Sequence, residues 1–409
     1  MTYDLAIVGG GIGGSALARV MAEAGASVLL LERTEVYEDR VRGEWIAPWG
    51  VTEVRRLGLY GLLVAAGGHH VATHVSYDET RSAQASEAEP LPLSIFAPGV
   101  PGPLCLGHPR HCQTLFDAAR AAGAEAVRGA EVDAVRGGAS PQVTWRDAAG
   151  EHTAQARLLV GADGRASQVR EALGIPLNQD PPHHMFAGLL VEDVPDWDAS
   201  RQTIGVEGEF NFLTFPQGGG RVRLYGSFPI DQRRRFSGPA GPRAFLDAFK
   251  LACAPDHGRL AAARPAGPLL SYFNNDAWTD QPFAPGAVLI GDAAGWNDPI
   301  VGQGLSITYR DVRLVSDILK AGGDGSPSAL APYGVERAER MRRLRFAAGV
   351  TAEFDAEFGA EAAARRRRHH EAAALDPSLR LHTIAVMAGP DAVPPEAFTP
   401  EHRARVLGV

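Results

Sequence analysis

Residues 4–32 read DLAIVGGGIGGSALARVMAEAGASVLLLE, and their order decides the fold. Asp4–Val8 is a short apolar run suited to a strand buried on both faces of a parallel sheet. Gly9, Gly11 and Gly14 follow at the G-x-G-x-x-G spacing. Ala16–Ala24 then reads as a helix with small residues on one face, and Gly25 stops it. Ser27–Leu31 is a second buried strand, with Glu32 and Arg33 at its end. Strand, glycine turn, helix, strand and terminal acid is the order a dinucleotide-binding unit requires. Gly9 permits the tight turn, Gly11 lets a pyrophosphate approach the backbone, and Gly14 lets the helix pack closely on the strand. Unpaired N–H groups at the helix start face the phosphates, and Glu32 is placed to accept hydrogen bonds from a ribose diol. The turn does not separate NAD from FAD; later segments must.

The chain has 409 residues, room for two or three structural units. With 45% hydrophobic and 22% charged residues it has ordinary globular usage. A net charge of −8 gives no electrostatic footprint for nucleic acid. Cys105, Cys112 and Cys253 are too few and too irregularly spaced for a disulfide framework or a zinc site. No segment reaches the roughly 20 uninterrupted apolar residues of a membrane helix. The apolar start, Leu5–Gly14, lacks a basic leader. We expect a cytoplasmic protein with no membrane span and no nucleic-acid partner.

Further strand candidates are Arg157–Val160 and Ala287–Ile290, each followed by a glycine and, within three residues, an aspartate. Between them, residues 184–230 are rich in Phe, Val and Leu with Gly-rich turns, as in Phe210–Phe215 and Arg221–Phe228, which reads as antiparallel hairpins. After Asp311 the pattern turns helical, with Glu336–Phe346 and Ala352–Ala374 dense in Glu, Arg and Ala.

Two segments separate the cofactors. Leu158–Arg170 reads LLVGADGRASQVR and Leu289–Asp311 reads LIGDAAGWNDPIVGQGLSITYRD. Here the chain resembles FAD-dependent monooxygenases of the para-hydroxybenzoate hydroxylase type, over about its first 320 residues. The resemblance implies FAD as cofactor and an α/β fold. A Rossmann-like FAD-binding domain (residues 1–75, 104–175 and 280–325) would carry an inserted sheet-rich substrate domain (76–103 and 176–279), and a helical C-terminal segment (326–409) would close the chain. It also implies that Asp292 binds the ribityl hydroxyls, that Asp163 is linked to flavin and nicotinamide, and that Arg42 and Arg110 line the FAD. A helix N-cap is the alternative for either aspartate, and a surface position for either arginine. In Pro299–Ser306, Gly302 and Gly304 allow a sharp start to a helix near Leu305, whose free N–H groups can face the flavin N1–C2=O edge. Ser306 stands where the hydroxylases usually have Asn.

The form GDAAGWNDP also resembles flavin-dependent halogenases and geranylgeranyl reductases, as GEWIAP (43–48) resembles a halogenase element, while GQGLSITYRDVRLVSDIL (302–319) is similar in spacing to squalene-epoxidase-like enzymes. Halogenases use a lysine between the first motif and the substrate region; the only lysines here are Lys250 and Lys320. The reductases' aromatic signature shares only its Phe-Pro end with FNFLTFP (210–216). Oxygenation is therefore the expectation: reduced flavin and O2 form a C4a-hydroperoxide that hydroxylates or epoxidises a small, largely apolar or aromatic molecule. Halogenase-like, prenyl-reductase-like and non-catalytic flavin-binding readings are the alternatives. No catalytic side chain is assigned, and no metal. NAD(P)H is expected as a transient reductant, with a separate flavin reductase as the other source. Trp45, Phe210, Phe212, Phe215, Tyr225 and Trp296 are the substrate-pocket candidates. His108, His111 and the pairs His69–His70 and His183–His184 are not nominated, since no metal spacing supports them.

Overall fold

The computed structural model describes residues 2–409. Strand β1 (Thr2–Val8), helix α1 (Ile12–Glu23) and strand β2 (Val28–Glu32) follow the order read from the sequence. β1 and β2 pair in parallel, from Leu5 opposite Val28 to Val8 opposite Leu31. Leu5 and Ile7 pack among helices while Ala6 and Val8 pack on the other side of the sheet. That two-sided burial is why the run shows no polar alternation. Strand β3 (Thr73–Asp78) and helix α2 (Ala83–Glu87) belong to a second unit, after which α3 (His108–Ala121) and β4 (Glu125–Arg128) return the chain beside β2.

β5 (Glu131–Arg136), β6 (Gln142–Asp147) and β7 (Gly150–Gly161) form an antiparallel meander, and the end of β7 pairs in parallel with β1. The sequence reading names no strand between 131 and 147, and the meander adds a layer to this sheet. Val143, Trp145 and Ala154 cover Ala6, Val8, Leu29 and Leu31 from the side opposite the helices. β5 (EVDAVR) intersperses charged with apolar residues and is mostly exposed, so no apolar run announces it.

The second sheet contains β8 (His184–Glu192), β9 (Arg201–Glu207), β10 (Phe210–Gly218) and β11 (Arg221–Pro229). Its order is β8–β11–β10–β9–β3, with β12 (Leu270–Asn274) also paired to β8. All these pairings are antiparallel except β9 with β3. The chain then rejoins the first sheet through β13 (Phe283–Ala284) and β14 (Ala287–Leu289), which lies parallel to β7.

Helix α4 (Gly304–Lys320) covers the first sheet with Tyr309, Val312 and Val315, and α5 (Pro327–Asp355), α6 (Ala360–Leu375) and α7 (Leu381–Ala388) follow. The sequence pattern runs its last helix through 352–374; the break falls inside that span, at 356–359, where Gly359 takes a φ of +92°. α5 holds the site from behind. Buried Arg337 donates to the carbonyls of Gly291, Ala294 and Gly295 and to Asp311 Oδ2, while Gly291 N–H donates to that same carboxylate oxygen. Four acceptors satisfy the buried guanidinium and fix the 291–295 turn. No helix among the described residues is long and apolar enough to cross a membrane.

Candidate active site

A cavity of about 1110 Å³ runs from the opening glycine turn to the inner face of the second sheet. The three signature glycines stand differently toward it. Gly9 has a φ of +103°, and a Cβ there would lie 2.4 Å from the Ala162 carbonyl oxygen; a Cβ at Gly14 would lie 1.9 Å from the Gly9 carbonyl oxygen. Both are glycine because backbone occupies the space. Gly11 borders the cavity and a Cβ on it would meet nothing within 4 Å. It is also the N-cap of α1 and supplies no side-chain cap, so the first N–H groups of the helix remain open. An open backbone face with unpaired donors is the cradle an anion needs. Glu32 borders the same space: its carboxylate accepts from Gly10 N–H at 2.8 Å and from Thr34 N–H at 2.8 Å, and keeps acceptor capacity beyond these. Arg33 lines the cavity, as does Arg42, whose ordinarily high pKa is lowered by burial and by neighbouring Arg165. Arg42 makes no close ion pair among the described residues, and Asp292 is near enough to act on its charge.

Asp292 also faces the cavity, and Arg165 Nε donates to its Oδ2 at 3.3 Å. Asp163 also borders the space, but Ser167 Oγ donates to its carboxylate at 2.6 Å and Val169 N–H at 3.2 Å, and burial raises its pKa. That carboxylate caps a turn. Pro299, Gly302, Gly304 and Leu305 line the wall, and α4 begins at Gly304 without a side-chain cap, so its positive end faces the cavity. Ser306 does not reach it. Its hydroxyl accepts from Ala47 N–H at 3.2 Å beneath the helix, where a Cβ on Gly50 would strike it. Arg110 is exposed on α3 beside Gly67 and likewise lies outside the cavity.

The substrate-facing candidates divide by strand alternation. Phe215 and Tyr225 line the cavity with Leu213, Phe186 and Tyr272, and Trp45 and Trp296 close its edges. Phe210 and Phe212 do not. They point to the other face of β10 and belong to the outer core, Phe210 packing with Phe236, Phe245 and Phe249 and Phe212 with Tyr77 and His257. Even and odd positions of one strand cannot share a face, so Phe212 and Phe215 could never have lined one pocket together.

A family profile described as FAD binding domain matches residues 2–347. The chain belongs to the FAD-binding-domain family. Among its relatives, mouse squalene monooxygenase is 28% identical over 335 residues, covering 78% of this chain and 54% of that protein. The chain thus spans about half the length of the curated relatives it matches. The p-nitrophenol 4-monooxygenase PnpA of Pseudomonas putida DLL-E4 superposes with a TM-score of 0.79 at 18% identity over 98% of both chains. PqsL of Pseudomonas aeruginosa, solved with 2-aminobenzoylacetate, superposes with a TM-score of 0.73 at 21% identity, over 87% of this chain and 97% of that one. These two share the fold.

In this FAD-binding-domain chain several cavity residues escape a motif reading. His108 and Cys112, one helical turn apart at the start of α3, face the cavity where Arg110 does not. Burial lowers the His108 pKa to about 4 and raises that of Cys112 to about 12, so both stay neutral. An i, i+4 pair at a helix start was the available signal. Glu44 lines the cavity and is held by Arg223, whose Nε lies 2.5 Å from Oε2 and Nη2 2.7 Å from Oε1, while Tyr225 donates to Oε2 at 3.2 Å. His183 and His184 converge on Asp298, with ligand atoms within 4.8 Å of one another. The two Nδ1 atoms are 2.7 Å apart and share a proton, so two neutral rings cannot both present a free Nε2 to an ion while that bond holds. Burial lifts the Asp298 pKa to about 7.

Proposed function

We propose that the chain is an FAD-dependent monooxygenase that hydroxylates or epoxidises a small, largely apolar or aromatic organic substrate, using one oxygen atom of O2. The observation that carries this reading is the unbroken cavity joining the Gly11 turn and Asp292 to the aromatic inner face of the second sheet. The residues present fit FAD: open N–H groups at Gly11, an acceptor at Glu32, a guanidinium without a close ion pair at Arg42 and a carboxylate at Asp292. Bound flavin, when reduced, supplies the electrons that activate dioxygen.

The chain's own contribution is binding, orientation and dryness. The α1 start and Arg42 hold the phosphates, Glu32 and Asp292 hold hydroxyls, and the positive end of α4 offers N–H donors to negative charge on the flavin ring system. Phe186, Leu213, Phe215 and Tyr225 exclude water from the reacting face and position the substrate by apolar contact. Squalene monooxygenase and p-nitrophenol 4-monooxygenase, as named, oxygenate an alkene chain and a phenol, so relatives and neighbours support oxygenation on either substrate type. We assign NAD(P)H as a reductant that visits transiently, with reducing power from a separate flavin reductase as the other arrangement.

The test uses purified protein with FAD, NADH or NADPH, O2 and a panel of phenols, indoles, terpenoids and polycyclic aromatics. Expected are bound flavin, substrate-dependent reductant consumption and products heavier by one oxygen. Flavin that bleaches only when a flavin reductase is added assigns reduction to a partner. Products unchanged in mass under both regimes refute the oxygenase reading.

A further inference from the structure

Beyond the aromatic face the cavity continues into a second chamber between β3–α2 on one side and α5, α6 and α7 on the other. The chemistry changes at its threshold. Trp45 Nε1 donates to Gln202 Oε1 at 2.9 Å, Gln202 Nε2 donates to His74 Nδ1 at 3.4 Å, and His74 Nε2 lies 2.9 Å from Ser76 Oγ. Past this hydrogen-bonded seam the walls are polar, with Ser76, Asp78, Asp355, His370 and His382 among them.

The ionic groups of the chamber largely neutralise one another. Arg366 lies 2.9 Å from Asp78 and 2.7 Å from Glu79, and Arg81 lies 3.0 Å from Glu89. Arg380 sits exposed at the rim. His382 and Asp355 also line the chamber. His382 is 5% exposed, its ring stacks on Phe354 and its Nδ1 is enclosed in the protein, and burial lowers its pKa and keeps the ring neutral. Asp355, the last residue of α5, has no hydrogen bond or ion pair among the described residues, and burial raises its pKa to about 7. A carboxyl that lines a cavity and has no protein partner is free to meet a ligand there.

We infer that this chamber binds the neutral, hydrogen-bonding end of an amphipathic substrate whose apolar ring portion lies against Phe215 and Tyr225, with His382 and Asp355 as its recognition residues. The inference rests on the proposed oxygenase reading for the inner half of the site. A wholly hydrocarbon molecule filling both parts leaves the chamber's donors and acceptors desolvated and unpaired, which selects against it. A carboxylate meets no free buried cation there and faces Asp355.

The test is calorimetric titration of the flavin-loaded protein with four probes: 9,10-anthraquinone, its hydroxylated relative emodin, the carboxylate rhein, and squalene. Emodin is expected to bind about tenfold tighter than the other three, since it carries a free hydroxyl that anthraquinone lacks and a buried hydrogen bond is worth about 0.5–1.5 kcal/mol. D355A and H382A should each weaken emodin binding about fivefold and leave anthraquinone binding unchanged. D355A removes a carboxyl that has no protein partner at a helix end, so it keeps the test open if H382A folds poorly. Equal affinities for anthraquinone and emodin, tightest binding of rhein or squalene, or emodin binding indifferent to D355A overturns the inference. Flavin content and oxygenated product, measured on the same samples, report separately on the oxygenase reading.

Discussion

Replacing Gly11 by valine separates the cofactor contact from the fold. Its φ of −68° and ψ of −165° are extended backbone that any residue adopts, and its Cβ position is open space. The chain-entropy gain from replacing glycine, about 0.4–1 kcal/mol, is offset by losing a favoured N-cap residue, so flavin-free stability should change by less than about 1 kcal/mol. FAD binding should not escape so lightly. The side chain occupies the space from which the α1 N–H groups are reached, and losing even one hydrogen bond to a charged phosphate costs about 1.5–3 kcal/mol, a weakening of tenfold or more. Gly9→Ala is the contrast. A side chain at φ +103° costs about 1–3 kcal/mol, and a Cβ 2.4 Å from the Ala162 carbonyl oxygen adds about 1–3 kcal/mol of overpacking. Both variants are stripped of flavin, melted, and titrated with FAD by fluorescence quenching. Wild-type FAD affinity in the Gly11→Val protein would refute the placement of the pyrophosphate, and melting as depressed as that of Gly9→Ala would refute the open space.

Asp292→Ala should leave the melting temperature of flavin-free protein nearly unchanged, because the side chain is one-third exposed and paired only to Arg165, while flavin retained per chain after gel filtration falls markedly. Phe212→Ala should cost about 3–5 kcal/mol in urea unfolding without altering ligand affinity, whereas Phe215→Ala, on the cavity face, should change substrate KM with a smaller stability loss. Asp355 carries a carboxyl whose pKa is raised to about 7 when folded, so the folded state holds a proton that the unfolded chain has already released; its contribution to stability is lost as pH climbs from the ordinary carboxylate range to about 7. Asp355→Asn should therefore gain stability relative to the parent over that rise and match it in acid, as read by denaturant unfolding across pH.

What was legible in the sequence was what depends on neighbours along the chain. The opening strand, turn and helix declare themselves because Gly9 and Gly14 answer backbone contacts only a few residues away, or across one parallel pairing. The meander at 131–147 stays silent because one side of it faces water and its strands are short. The aromatic strand shows the limit most clearly. Alternation in FNFLTF says that residues 210 and 212 share one face and 213 and 215 the other, but not which face meets the cavity. That choice is made by Phe236, Phe245 and Phe249, which cover Phe210, by Tyr77 and His257, which cover Phe212, and by Val41, which packs with Leu213 and Tyr225 from a loop some 170 residues earlier. The same reasoning applies to Arg110 and His108: two residues apart at a helix start, they point some 200° from each other, so a motif placed two positions off exchanges a cavity residue for a surface one. Assigning a site residue therefore depends on the helix or strand phase as much as on the residue type, and phase is set by packing partners that lie far along the chain.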